Sequence, residues 1–246
     1  MIRVDSLTYR YPGAPRDALS AISLQISEGS FVALTGANGS GKSTLARCLN
    51  GLLLPSSGQV LVDGLTTTNK ADLPLIRRKV GVLFQDPNHQ MTSPTIEREL
   101  AFALQNLGIP PNEIQLRIQD GLRHLGFEHR RLDPPSSLSG GEKQRLALAC
   151  VMMLQPRYLV LDEATSFLSP ASRRSLMDDL MRLRKETRTA VLLITQLYEE
   201  AVLADRVVVL ENGRIVFDDE ASSFVPGSSA FLASGIVAVG SLHLHE

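Results

Sequence analysis

The chain has 246 residues, 43% of them hydrophobic, and a formal net charge of −1. That is apolar material enough for one large domain, or a domain with an insert. The near-zero charge supplies no global positive field for a nucleic-acid partner. Two cysteines, Cys48 and Cys150, are too few for a disulfide framework and read as buried thiols of a reducing compartment. No signal peptide and no apolar run approaching roughly 18 residues is present, so any membrane role must come through a partner.

In chain order, residues 2–11 and 20–26 read as short strands, the second closed by Glu28-Gly29. Phe31-Val32-Ala33-Leu34-Thr35 is a continuous apolar run of the kind a buried parallel strand needs. Gly36-Ala37-Asn38-Gly39-Ser40-Gly41-Lys42-Ser43 follows and fits the phosphate-binding pattern G-x-x-x-x-G-K-[ST] at every fixed position. Gly36, Gly39 and Gly41 let backbone N–H groups approach phosphate oxygens with no Cβ in the way. Thr44 to Leu54 reads as a helix whose N-terminal partial charge faces the same phosphates. Lys42 would reach the β- and γ-phosphates, and the Ser43 hydroxyl would ligate Mg²⁺.

Residues 59–63 form a further strand, and Arg77-Arg78-Lys79 reads as a solvated helix end before the apolar run Val80–Phe84. Between Asp86 and Gln155 no buried-strand run occurs. Amphipathic helices are predicted near 95–107, 112–125 and 140–154, punctuated by Pro110-Pro111 and Pro134-Pro135. Met152-Met153-Leu154 reads as the core end of the third. Tyr158–Leu161, Ala190–Ile194 and Val207–Leu210 are again buried-strand runs, with 214–217 a last short strand after Asn212-Gly213. Residues 197–246 carry eight acids and two bases, a solvated acidic end. Residues 221–246 show no period and suggest a weakly packed tail, with His243 and His245 near a disordered end.

The remaining chemistry sits at strand ends. Tyr158-Leu159-Val160-Leu161-Asp162-Glu163 is an apolar strand closing in two acids. Beside a phosphate loop, Asp162 is the metal-side carboxylate and Glu163 the general base for an attacking water. Gln85, after the strand 80–84, is placed to touch both Mg²⁺ and that water.

With Leu138-Ser139-Gly140-Gly141-Glu142-Lys143-Gln144-Arg145 added, the chain resembles the ATP-binding subunits of ABC transporters across about residues 2–217. The resemblance implies a P-loop NTPase fold of the α/β class: a mostly parallel core sheet, an antiparallel β subdomain and an inserted α-helical subdomain. It implies one ATPase domain over 1–220, with the core in 1–88 and 152–220, helices in 89–151 and a tail at 221–246. ATP and Mg²⁺ are the implied ligands. Tyr11 would stack on adenine, Lys42, Gln85, Glu163 and Gln196 would serve hydrolysis, and Ser43, Gln85 and Asp162 would hold the metal. Gly36, Asn38, Gly39, Ser40, Gly41, Ser43 and Thr44 would cradle phosphate. Ser139, Gly140 and Gly141 would close over the nucleotide of a second ATPase subunit. An integral membrane transporter subunit would dock beside residues 85–107, at the cytoplasmic face of the membrane. The text around Tyr9-Arg10-Tyr11-Pro12-Gly13 and Phe84-Gln85-Asp86-Pro87-Asn88-His89-Gln90 is similar to the energy-coupling-factor ATPases, which drive uptake of metal ions or vitamins.

Two positions depart from that pattern. Gln196 stands where a histidine is usual, and Leu168-Ser169-Pro170 where Leu-Asp-Pro is usual. They favour a second reading, a low-activity nucleotide-binding half of a heterodimer, against which Glu163 argues. A soluble ABC ATPase of nucleic-acid repair or translation would be expected to bring a second cassette, a coiled coil or a basic patch, whereas this chain has one cassette and a near-neutral charge.

Overall fold

The computed structural model describes residues 1–105 and 109–236. Two sheets share the molecule. β1 (Ile2–Tyr9), β2 (Leu19–Ile26), β4 (Ser57–Val62) and β5 (Leu65–Thr66) form an antiparallel sheet in the order β2-β1-β4-β5. Alternation such as Ile2/Val4 inward and Arg3/Asp5 outward gives it one apolar face. The second sheet runs β10-β9-β3-β8-β7-β6, built from β3 (Phe31–Thr35), β6 (Val80–Leu83), β7 (Tyr158–Asp162), β8 (Ala190–Ile194), β9 (Arg206–Glu211) and β10 (Arg214–Glu220). All pairs in it are parallel except β9–β10. Every residue of β3, β6, β7 and β8 is buried, which is why these strands appear in sequence as unbroken apolar runs.

The helices cover that sheet. α1 (Lys42–Leu49) and α2 (Leu73–Lys79) pack on one side, with Leu45, Leu49 and Ile76 fully buried against β-strand residues such as Leu34 and Val160. α6 (Pro170–Thr187) and α7 (Tyr198–Ala201) lie on the other, where Leu176 and Leu180 join Leu159 and Leu193. Each such fully buried Leu or Ile contributes on the order of 1.5–3 kcal/mol. α3 (Ile96–Gln105), α4 (Pro111–Leu125) and α5 (Gly140–Met153) form a satellite with its own core of Ile96, Leu100, Ile118, Leu122 and Leu146. Met152 packs against the sheet-side core and Met153 against this one. Residues 106–107 of the first predicted helix lie outside the described residues.

Three expectations change. α1 starts at Lys42, two residues earlier than the sequence suggests, and stops at Leu49 because Asn50 and then Gly51 at φ +69° break it. β1 ends at Tyr9, which leaves Tyr11 in the loop beyond it. Residues 221–236 are packed rather than loose: α8 (Ser229–Ser234) follows a tight turn, and Phe224 (1% exposed) sits among Tyr198, Phe217 and Phe231 with ring centroids 5.8–6.1 Å away. His243 and His245 lie outside the described residues. The thiol of Cys48 is buried and pushed up to about 12 by desolvation, and burial raises that of Cys150 as well. Arg130 and Arg131, in the turn after α4, are tied to Asp133 and Glu142 and to Glu97 within the chain. Among the described residues, no helix is long and apolar enough to cross a membrane.

Candidate functional site

Four parallel strands end at one place. Because β6, β7, β8 and β3 are adjacent and in register, their carboxyl ends bring Gln85, Asp162-Glu163, Gln196 and the phosphate loop to one edge of the sheet. A cavity of about 720 Å³ opens there, lined by Tyr11, Asn38, Gly39, Gly41, Lys42, Ser43, Thr44, Gln85, Glu163 and Gln196, with Ala18, Ser166, Arg173 and Leu197.

Its floor is the loop Gly36–Ser43. A Cβ on Gly36 would stand 2.2 Å from the Leu210 carbonyl oxygen, and one on Gly41 2.6 Å from that of Ala18, so only glycine lets the loop pass this close to β9 and β2. Gly41 caps α1 in the left-handed region with no side-chain hydrogen bond, and the first turn holds no acid. Its N–H groups are left for an anion, and the helix dipole points the same way. Lys42 is buried (4% exposed), and its ammonium donates to the carbonyls of Gly36 (2.7 Å) and Ala37 (3.1 Å). Burial lowers its pKa, against the opposing pull of Glu163 and Asp162. The Ser40 hydroxyl is buried with no protein partner among the described residues.

Glu163 is the centre of the polar network. It adopts φ +52°, unusual for a non-glycine residue, at the turn after β7. Its carboxylate accepts from Gln85 Nε2 (3.2 Å) and Gln196 Nε2 (3.2 Å) and lies 3.7 Å from Lys42 Nζ. Gln196 Nε2 also donates to Asn38 Oδ1 at 2.6 Å. Next to it, Ser43 Oγ donates to Asp162 Oδ1 (2.9 Å). Burial raises the Asp162 carboxyl, partly offset by that bond. A hydroxyl and a carboxylate side by side are hard oxygen donors of the kind Mg²⁺ takes. Tyr11 stands edge-on to Tyr9 (4.9 Å), and its hydroxyl meets Thr44 Oγ1 at 3.1 Å.

Ser139, Gly140 and Gly141 are elsewhere. Ser139 caps α5 in a capping box with Glu142: its Oγ accepts from Glu142 N, and its own N–H donates to Glu142 Oε2 (2.8 Å). Ser139 and Gly140 are exposed, and none of the three lines the cavity. One chain therefore carries both a phosphate cradle and a separate exposed helix start.

Sequence reasoning missed a buried cluster behind the cavity. Glu200 (2% exposed) accepts from Thr165 Oγ1 (2.9 Å) and Thr195 Oγ1 (2.5 Å), and Arg173 Nε lies 3.8 Å from it. Burial raises its pKa against those hydroxyl bonds. The one signal available was an acid six residues past the end of an apolar strand, which alone points nowhere.

A glycine-rich loop opening a helix at the carboxyl edge of a parallel sheet, with two acids closing the neighbouring strand, is the arrangement of a P-loop NTPase. Residues 19–166 match the family model described as "ABC transporter", and the chain belongs to that family. It is 45% identical over 244 residues to the energy-coupling factor transporter ATP-binding protein EcfA of Syntrophomonas wolfei, covering 99% of this chain and 89% of that one. It is 44% identical over 216 residues to EcfA1 of Latilactobacillus sakei, covering 88% and 77%. Among solved structures it resembles cbiO1 of Clostridium perfringens, described as part of the ABC transporter complex cbiONQ, with a TM-score of 0.82, 32% identity and coverage of 91% and 89%. It also resembles the dimeric bacterial ABC transporter cassette MJ0796, with a TM-score of 0.81, 27% identity and coverage of 90% and 99%.

Proposed function

We propose that this chain is the ATP-hydrolysing subunit of an energy-coupling-factor type transporter, working as one half of an ATPase pair and driving uptake of a metal ion or vitamin. The observation that carries this reading is Glu163, held by Gln85, Gln196 and Lys42 at the mouth of the phosphate cradle. ATP binds with its phosphates on the uncapped start of α1, and Gly36, Asn38, Gly39, Ser40, Gly41, Lys42 and Thr44 surround them. Lys42 turns from the Gly36 and Ala37 carbonyls to the β- and γ-phosphates, which supply the counter-charge its burial demands. Tyr11 stacks on adenine. Ser43, Asp162 and Gln85 would hold Mg²⁺, which would supply positive charge beside the phosphoryl oxygens.

Glu163 orients and deprotonates water for in-line attack. Gln196 donates its amide N–H to a γ-phosphate oxygen, without the charge a histidine would bring. The Ser139–Gly141 segment of a second subunit completes the cradle, in keeping with its absence from the lining of the cavity of its own chain. The membrane subunit docks in the groove formed by Gln90, Met91, Glu99, Phe102, Ala147 and Cys150, where Phe102 is half exposed. On this reading the chain is a peripheral subunit at the cytoplasmic face of the membrane. The domain is one ATPase unit over 1–220, with the helical part at 89–151. A hydrolysis-dead regulatory half is disfavoured by the intact contacts of Glu163.

Phosphate release by the purified chain, with Mg²⁺ and with a chelator, tests the reading. The expected result is Mg²⁺-dependent release that Glu163→Gln removes. Release that neither chelation nor Glu163→Gln alters contradicts it.

A further inference from the structure

Two segments of the site meet on one buried atom outside it. Thr165 follows Glu163 by two residues, and Thr195 immediately precedes Gln196. Both hydroxyls donate to the same oxygen, Oε2 of Glu200, at 2.9 and 2.5 Å. The three side chains are 1–2% exposed. The other carboxylate oxygen faces Arg173 Nε at 3.8 Å, an ion pair longer than a hydrogen bond, and neither atom has a hydrogen-bond partner among the described residues. The Arg173 guanidinium also donates to the carbonyl of Leu168 (3.4 Å), in the segment Leu168-Ser169-Pro170, and lines the cavity.

A carboxylate buried this deeply is costly unless its bonds are kept, so the backbones that carry those hydroxyls are held to it and thereby to each other. The side chains on those same backbones, Glu163 and Gln196, meet at 3.2 Å in the cavity. The strained φ of +52° at Glu163 needs such a support from its surroundings.

We infer that Glu200 is a positioning residue for hydrolysis: it fixes Glu163 against Gln196 through Thr165 and Thr195, and ties both to the Leu168–Pro170 segment through Arg173. It touches no substrate. The inference rests on the role of Glu163 set out above.

Full-length wild type, Glu200→Leu, Glu200→Gln and Thr195→Val are compared for phosphate release at saturating Mg-ATP, with nucleotide affinity measured separately. Loosening the Glu163–Gln196 geometry is expected to lower turnover in Glu200→Leu by about ten- to a hundredfold. Affinity should stay within about twofold, because the cradle does not touch Glu200. Glu200→Gln keeps an acceptor for both hydroxyls and should recover most of the loss. Thr195→Val should reproduce part of the loss with the carboxylate intact. On a Gln196→Ala background, Glu200→Leu should add little, since both act through one contact. A lowered melting temperature with unchanged turnover, or full additivity with Gln196→Ala, overturns the inference. If Glu200→Leu does not fold, Thr195→Val decides on the same criteria. Glu163→Gln is run alongside: full turnover there overturns the reading of the site, whereas its inactivity beside an unaffected Glu200→Leu overturns this inference alone.

Discussion

Gln196 Nε2 reaches Asn38 Oδ1 at 2.6 Å, so the end of β8 is hydrogen-bonded directly to the phosphate loop. The same amide touches Glu163 at 3.2 Å. A neutral side chain thus spans the glycine-rich loop and Glu163.

Replacing Gln196 by His is expected to raise turnover and to add a pH-dependent limb near an imidazole pKa of about 6.5. The wild type should lack that limb. Phosphate release measured from pH 5.5 to 8.5 in both proteins checks this (a range of about three units, wide enough to cover such a titration). Superimposable pH profiles would rule out the role given to this position.

Lys42 couples the loop to binding. Burial disfavours its charged form in the nucleotide-free protein, against the pull of Glu163, and its ammonium donates to the Gly36 and Ala37 carbonyls. Lys42→Met leaves those groups without their donor and should lower the stability of the free protein by about 1–3 kcal/mol. It should weaken Mg-ATP by at least about tenfold, since charge-assisted bonds of about 1.5–3 kcal/mol each are lost. Thermal melting with and without Mg-ATP reads both effects: the melting temperature of the free protein falls and the nucleotide-induced shift shrinks.

Asp63 governs acid stability. Burial alone would raise its pKa. Bonds from Lys79 (2.7 Å), the amino terminus (2.6 Å) and Tyr158 (2.7 Å) outweigh burial and hold the carboxyl far below the usual range. A depressed folded-state pKa means stability present above the unfolded value of about 3.9 and lost as pH falls below it. Asp63→Asn should lower stability at pH 7 and flatten the decline between about pH 4 and pH 2. Denaturant unfolding across that range measures it.

The loop Gly36–Ser43 was legible because its glycines, lysine and serine form a fixed local pattern, and Gly36 and Gly41 pass too close to Leu210 and Ala18 for any side chain. The strands were legible because burial on both faces leaves unbroken apolar runs, as in Phe31–Thr35 and Ala190–Ile194. Asp162 and Glu163 followed from the end of one such run. Glu200 was not legible, since its meaning depends on Thr165 and Thr195, which only the β7–β8 pairing brings together. The packing of Phe224 and Phe231 was missed for a similar reason. Their partner Tyr198 lies on another element, and an irregular segment leaves no period to read. The start of α1 was misplaced because an uncapped helix carries no capping residue in its sequence.

One chain is expected to hold half of a composite site. Glu163→Gln should bind ATP without cleaving it, and size-exclusion with light scattering in Mg-ATP should then show a dimer. Ser139→Arg, added to Glu163→Gln, places bulk and charge at the exposed start of α5 and should return the protein to a monomer that still binds ATP. The same oligomeric state for both proteins in Mg-ATP would contradict the account.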